Sequence, residues 1–342
     1  MNGFYQAPGP QGWDTYEITF QNGQPTFAPT NREPEGYCIP GFVDLHIHGA
    51  FGIDFMSATA DEIVDLANLL DKEGYAGFLP TTITADAESV QSALNNLPNH
   101  PLIFGFHLEG PFISPAFPGA QPPESIITFP SQPSPWDAIL SDPRLKLITL
   151  APEQRNALPN IRKLAERGVI VSAGHTNATF KEMTEAIAAG LSHATHTYNA
   201  MRPLHHREAG ALGAVLNTDL VTAELIYDRQ HVSKPAAEIL LKTKPKDKVI
   251  AVSDCTLAKG KKTGDTFTMW GHEVIKGEND VRLASNNSLA GSCDTLYDCF
   301  KKIAQDFSPK IAARICCQNP LSELKIKSPT RWIVLDLNLQ LQ

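Results

Sequence analysis

Short apolar runs recur along the chain, separated by stretches long enough to hold a helix. Eight of them, residues 42–48, 76–82, 103–109, 146–152, 169–175, 192–199, 222–228 and 249–254, read as strands that close on polar turns. Between the first two, Ile63, Leu66, Ala67 and Leu70 fall at helical spacing within 61–73. Between the fifth and sixth, Met183, Ala186 and Ile187 do the same within 178–189, and Gly190 supplies a stop. Strand alternating with helix predicts parallel β–α units. About eight such units close a barrel, so the expected fold is α/β, a (β/α)8 TIM-type barrel.

The two ends carry a different pattern. Residues 13–28 alternate around the pair Asn22-Gly23, a hairpin signal. Arg331 to Leu337 is another apolar, strand-like run. The expected organisation is a small β domain built from residues 1–40 and 320–342, with the barrel at 41–319. Pro-rich stretches at 119–123 and 130–135 read as loops.

Composition narrows the class. Hydrophobic residues make up 42% and charged residues 19% of 342, the balance of a globular protein. A barrel takes roughly 250 residues, which leaves too few for a second full-size domain. The net charge of -8 offers no global basic field, so no nucleic-acid partner is expected. A local basic pocket for a phosphorylated substrate stays compatible with it. No run approaches the roughly 18 apolar residues of a membrane span, and none is expected. Residues 1–10 lack the basic-then-apolar pattern of a signal peptide. The six cysteines, Cys38, Cys255, Cys293, Cys299, Cys316 and Cys317, include no Cys-x-x-Cys pair, so neither a disulfide framework nor a structural zinc site is expected. The expected location is the cytoplasm.

Candidate chemistry concentrates at the strand ends. His46 and His48, two apart on the first strand, point to one face. Glu109 ends the third strand, His175 the fifth and Asp254 the eighth, and His196 lies near the end of the sixth. Barrel active sites form at that rim. Singly, each has a plainer reading: a half-buried strand pair, a helix cap for Glu109, a turn for Asp254. Together the six suit a divalent metal that activates water and polarises a carbonyl. Asp254 is then the expected proton shuttle. His100 and His272 fall in expected loops, His193 faces away from His196, and Cys255 reads as a packing thiol.

The motifs that carry these residues also resemble a known family. Pro40-Gly41-Phe42-Val43-Asp44-Leu45-His46-Ile47-His48-Gly49, His107-Leu108-Glu109-Gly110-Pro111-Phe112, Ser172-Ala173-Gly174-His175-Thr176-Asn177-Ala178-Thr179 and Thr195-His196-Thr197-Tyr198-Asn199-Ala200-Met201 are similar to motifs of N-acetylglucosamine-6-phosphate deacetylases. So are His205-His206-Arg207-Glu208 and Leu289-Ala290-Gly291-Ser292. The resemblance implies metal ligands at Glu109, His175 and His196, and an added pair at His46 and His48 as in members that hold two metals. It implies Asp254 as acid/base, Asn199 and Ala200 as backbone contacts to the sugar phosphate, and Arg207 as a phosphate ligand reaching over from the partner of a homodimer. His231 is implied to bind substrate, and Leu289, Ala290 and Gly291 to form a loop over the sugar. The implied cofactor is one or two divalent ions, zinc first, with iron or another transition metal as alternatives.

Three departures from the family pattern stand out. The tail after Asn319-Pro320 is compressed, which implies a reduced small domain. Gln121 occupies the stretch where some members have a substrate-binding histidine, and Arg229 replaces a glycine in Asp228-Arg229-Gln230-His231, with the expectation of a narrower pocket. The expected reaction is hydrolysis of the N-acetyl group of N-acetylglucosamine 6-phosphate. The rivals are a deacetylase of N-acetylgalactosamine 6-phosphate or another N-acetyl hexosamine phosphate, a cyclic amidohydrolase, and a non-catalytic amidohydrolase-like assembly protein. A cyclic amidohydrolase would carry a lysine at the end of the fourth strand; here that end reads Leu150-Ala151-Pro152-Glu153.

Overall fold

The computed structural model describes residues 2–342. Its centre alternates strand and helix. The strands are Phe42–Ile47, Tyr75–Pro80, Phe106–Glu109, Leu145–Leu150, Ile170–Ala173, His193–Ala194, Thr222–Ile226 and Val249–Val252. In the same order, the helices behind them are Ala60–Lys72, Ala87–Asn96, Trp136–Ser141, Ala157–Glu166, Phe180–Ala188, Gly210–Asn217, Lys234–Thr243 and Leu296–Asp306. The third to eighth strands form one parallel six-stranded sheet in chain order, and the first two form a parallel pair. Isolated parallel bridges join Phe78 to Ile103, Thr81 to His107 and Ile47 to Cys255.

These strands read as apolar runs because they are buried throughout: no residue of Phe42–Ile47, Tyr75–Pro80 or Thr222–Ile226 is exposed. The helices instead bury one stripe. On Ala60–Lys72 that stripe is Ile63, Leu66, Ala67 and Leu70. Thr59 and Glu62 close a reciprocal capping box at its start, and Gly74 at φ 86° turns the chain out of it. Each buried Leu or Ile contributes about 1.5–3 kcal/mol, so the stripe rather than helix propensity holds the element in place.

The hairpin read at 13–28 is present. Gly12–Gln21 pairs antiparallel with Gln24–Pro29, and Asn22 (φ 50°) and Gly23 (φ 76°) make the turn. Both strands belong to a five-stranded sheet in the order Trp332–Asp336, Gly36–Pro40, Gly3–Gly9, Gly12–Gln21, Gln24–Pro29. The two ends of the chain therefore meet in one sheet.

Three local expectations change. The sixth strand shrinks from 192–199 to His193–Ala194, because the backbone is left-handed at His196 (φ 31°), Tyr198 (φ 83°) and Ala200 (φ 46°), conformations a strand cannot hold. The third begins at Phe106 rather than residue 103, after Gly105 at φ 139°. A three-stranded antiparallel sheet of Thr266–Met269, His272–Lys276 and Val281–Leu283 occupies a stretch for which no element was expected, so His272 opens a strand instead of lying in a loop. Among the described residues no helix is long and apolar enough to cross a membrane.

Candidate metal and active site

Several strands end in a sharp kink that lifts one side chain into a common cavity. His175 (φ 47°), His196 (φ 31°) and Asp254 (φ 50°) are all left-handed, a strained setting for residues with a Cβ. The cavity is about 290 Å³ and is lined by His48, Glu109, His175, His196, Asp254, Gln121, Asn199, Ala200, His231, Trp270, Leu289 and Gly291, among others.

At its floor the side chains form two groups, His46 with His48 and Asp254, and Glu109 with His175 and His196, all buried. Glu109 touches both. Its Oε1 lies 3.2 Å from His175 Nε2, 3.3 Å from His196 Nε2 and 3.5 Å from His46 Nε2, and its Oε2 lies 3.1 Å from His48 Nε2. Asp254 Oδ1 is 3.3 Å from His48 Nε2 and 3.4 Å from His46 Nε2.

The far nitrogens of these rings decide what the near ones can do. His46 Nδ1 faces Glu224 Oε2 at 3.1 Å, His48 Nδ1 the carbonyl of Thr81 at 3.2 Å, and His175 Nδ1 the carbonyl of Phe117 at 3.1 Å. For these three rings the far nitrogen has an acceptor for its proton and Nε2 is left with a lone pair, whereas His196 Nδ1 is buried without a partner. Yet His46 and His48 bring these atoms to 3.3 Å, and His175 and His196 to 3.1 Å. Lone pairs at that separation repel unless a proton or a cation lies between them. Imidazole nitrogen with carboxylate oxygen is the donor set that zinc and similar divalent ions take, so the residues fit such an ion.

Electrostatics agree with ionised acids here. Burial would raise the carboxyls of Glu109 and Asp254, but the imidazoles of His46 and its neighbours hold both below the usual range, Glu109 strongly so. Burial would lower His48, but the carboxylates of Asp254 and Glu109 override it and lift the ring to about 9. Protons and a cation therefore compete for the same nitrogens.

The other expected site residues divide. Asn199, Ala200, His231, Leu289 and Gly291 line the cavity; Ala290 is fully buried behind it. His231 is held by Asp228, whose Oδ2 lies 2.6 Å from Nδ1, so Nε2 is free to donate into the cavity when the ring is protonated. Gln121 also lines the cavity, but its amide is engaged: Nε2 donates to Glu109 Oε2 at 2.8 Å and Oε1 accepts from the Thr84 N–H at 2.8 Å. Arg207 stands apart. It is exposed, outside this cavity, with Nη1 2.8 Å from His206 Nε2. Arg229 does not narrow the pocket. It adopts φ 66° and turns away to donate to Asp306 at 2.7 Å.

Two residues near the site were not anticipated. Trp270, from the three-stranded sheet, donates its indole N–H to Asp54 at 2.9 Å and sets its ring edge-on to His48 at 4.9 Å. The Trp270-Gly271 pair between two alternating runs was its signal, a hairpin turn. Glu224 lies below the histidines; its signal was a charge in the middle of the strand-like run 222–228, apart from the Asp228 that ends it.

Parallel strands ending in kinked imidazoles and carboxylates at one cavity define a class of hydrolase. A profile of the amidohydrolase family matches residues 37–328, and the chain belongs to that family. Within it the chain sides with the N-acetylglucosamine-6-phosphate deacetylases. It is 38% identical to that enzyme of Lysinibacillus sphaericus over 281 residues, covering 79% of this chain and 71% of the relative. An N-acetylgalactosamine-6-phosphate deacetylase of Escherichia coli O157:H7 is 34% identical over 296 residues, 82% of this chain and 78% of that one. The crystal structure of the N-acetylglucosamine-6-phosphate deacetylase from Thermotoga maritima superposes with a TM-score of 0.87 at 30% identity, covering 97% of this chain and 93% of that one.

Proposed function

We propose that this protein hydrolyses the N-acetyl group of N-acetylglucosamine 6-phosphate, giving glucosamine 6-phosphate and acetate. The observation that carries the reading is the convergence of Glu109, His175, His196, His48 and Asp254 on one cavity floor, with His46 buried against His48 and Asp254, in a chain of this family. These residues would hold one or two divalent ions, zinc first, and such an ion supplies acidity to water and polarisation to the acetyl carbonyl. Asp254 takes the proton of the attacking water and hands it to the departing amine nitrogen. His231, fixed by Asp228, donates to the sugar or to the acetyl oxygen. Asn199 and Ala200 present backbone groups at the rim, and the loop with Leu289, Ala290 and Gly291 covers the sugar ring. Gln121 acts on substrate less directly than expected, since its amide already braces Glu109.

The parallel bridges beyond the six-stranded sheet support a closed eight-stranded barrel over 41–319, with residues 1–40 and 320–342 as the small β domain. A homodimer accounts for the phosphate. Arg207 is exposed, and Leu204 beside it is 53% exposed, as suits an arm that docks on a second subunit. Six unpaired, buried cysteines suit a cytoplasmic enzyme.

An assay of acetate release separates the candidates. N-acetylglucosamine 6-phosphate is expected to be turned over far faster than the unphosphorylated sugar. No release from any N-acetyl hexosamine phosphate with metal-replete protein would sink the reading. The N-acetylgalactosamine epimer is the second reading, because the relative from Escherichia coli O157:H7 is matched over 82% of this chain; it wins if that epimer has the higher kcat/KM.

A further inference from the structure

We infer that Glu224 is a positioning residue that fixes the ring of His46 and the backbone of His196 together, tying the two groups of candidate metal ligands to one buried carboxylate. The inference rests on reading those groups as a cation site. Glu224 is fully buried on the strand Thr222–Ile226. Its Oε2 lies 3.1 Å from His46 Nδ1 and accepts the His196 backbone N–H at 3.0 Å. Its Oε1 lies 3.2 Å from His193 Nε2. Its own carbonyl accepts the Thr197 N–H at 2.9 Å.

Each contact has a separate consequence. At His46 the carboxylate keeps the proton on Nδ1 and leaves the lone pair of Nε2 facing Glu109. At His196 the side chain and carbonyl of Glu224 hold two successive amides of a residue whose φ of 31° is strained. Released, that backbone would relax and carry His196 Nε2 away from its place 3.1 Å from His175 Nε2. One side chain thus serves His46 from one group and His196 from the other.

The support extends outward. His193 Nδ1 is 3.4 Å from Glu323 Oε1, in ion-pair range, and Glu323 Oε2 accepts from the Thr222 hydroxyl at 3.0 Å. Glu323 ends the helix Asn319–Glu323, so a segment late in the chain buttresses the carboxylate that orients the ligands. His193, though three residues before His196 and facing away from the cavity, is the link. A neutral amide fits this place less well than the carboxylate. With its oxygen kept on His46 and His196, a glutamine turns its NH2 toward His193 Nε2, which must then give up its proton to accept.

The test is titration of metal-free protein with cobalt(II), followed by its d–d absorption, beside melting of the metal-free forms by circular dichroism. The parent, Glu224→Gln and Glu224→Asp are compared. If the parent binds no cobalt, the cation reading itself fails and the inference falls with it. If the parent binds, Glu224→Gln is expected to bind about 10- to 100-fold more weakly with an altered spectrum, while its metal-free melting stays close to the parent's. Glu224→Asp, with the charge but a shorter reach, is expected in between. Parent-like affinity and spectrum in Glu224→Gln overturn the positioning role, and so does weaker binding that merely tracks a collapsed metal-free fold. Should Glu224→Gln not fold at all, Glu224→Asp decides: parent-like affinity overturns the role, and weaker binding on an intact fold supports it.

Discussion

At Asp254 burial and charge pull in opposite directions. Burial favours the neutral acid, but His46 and His48 win and keep the carboxyl below its usual value. An ionised carboxylate at the cavity floor is ready to take a proton, and Asp254→Asn removes that capacity at nearly constant shape. The expected result is a fall in kcat of about 10²- to 10⁴-fold with KM changed much less, read from steady-state acetate release. Turnover near the parent's would send the search for the base elsewhere. Gln121 makes a prediction about stability. Gln121→Leu strips partners from Glu109 and from the Thr84 N–H, so unfolding in urea is expected to come earlier by about 1–3 kcal/mol; an unchanged midpoint would show the brace to be idle. The six cavity-floor residues were legible in the sequence because each stands at a strand end or at period two, where chemistry breaks an apolar run. Glu224 and Trp270 were harder. Glu224 is mid-strand, where position alone says core, and Trp270 reaches the site from a sheet that crosses to it from elsewhere in the chain.

Long, strongly patterned elements followed the sequence, whereas those bent to serve the site did not. The stripe on Ala60–Lys72 was read to the residue, because burial on one face writes a 3.6 period into the chain. The sixth strand was overread, since the β-branched and aromatic residues Thr195, Thr197 and Tyr198 read as strand while the backbone is already left-handed at His196, Tyr198 and Ala200. The helix Leu296–Asp306 carries a prediction of its own. Asp298 in its first turn accepts from the Thr295 N–H and hydroxyl, both at 3.1 Å, and pairs with Lys301 at 3.0 Å and with Lys259. Burial would raise its carboxyl, but Lys259 and Lys301 override it and bring it to about 2. The folded value lies below the unfolded one, near 3.8, so this stabilisation is complete above about pH 4 and disappears as pH falls toward 2. Asp298→Asn is therefore expected to cost about 1 kcal/mol at pH 7 and to unfold with a shallower acid dependence between about pH 4 and 2. Parallel acid-denaturation curves for the two proteins would refute it.

Across the whole molecule, the proposed cation and the proposed second subunit each make a measurable claim. A ligand that binds only the folded state stabilises it by mass action, so chelation is expected to lower Tm and added zinc to restore it. A Tm indifferent to both would mean that the cavity floor holds no ion. Arg207 is exposed and does not line its own chain's cavity; if it serves the partner's, Asp254→Asn mixed with Arg207→Ala is expected to regain activity as subunits exchange. A mixture that stays dead after verified exchange would place Arg207 in its own chain's site. One further consequence belongs to the sheet that joins the ends of the chain. Gly36–Pro40 leads directly into Phe42–Ile47, yet its antiparallel neighbour on one side is Trp332–Asp336. During synthesis that edge, which carries the apolar Cys38 and Ile39, stays bare until Trp332–Asp336 has been made and can pair with it. Such distant pairings make folding slow, and the nascent protein spends its longest wait with a sticky strand uncovered. A stop codon placed before Trp332 would make that wait permanent, and the product is expected to aggregate even though every residue of the cavity floor has been made.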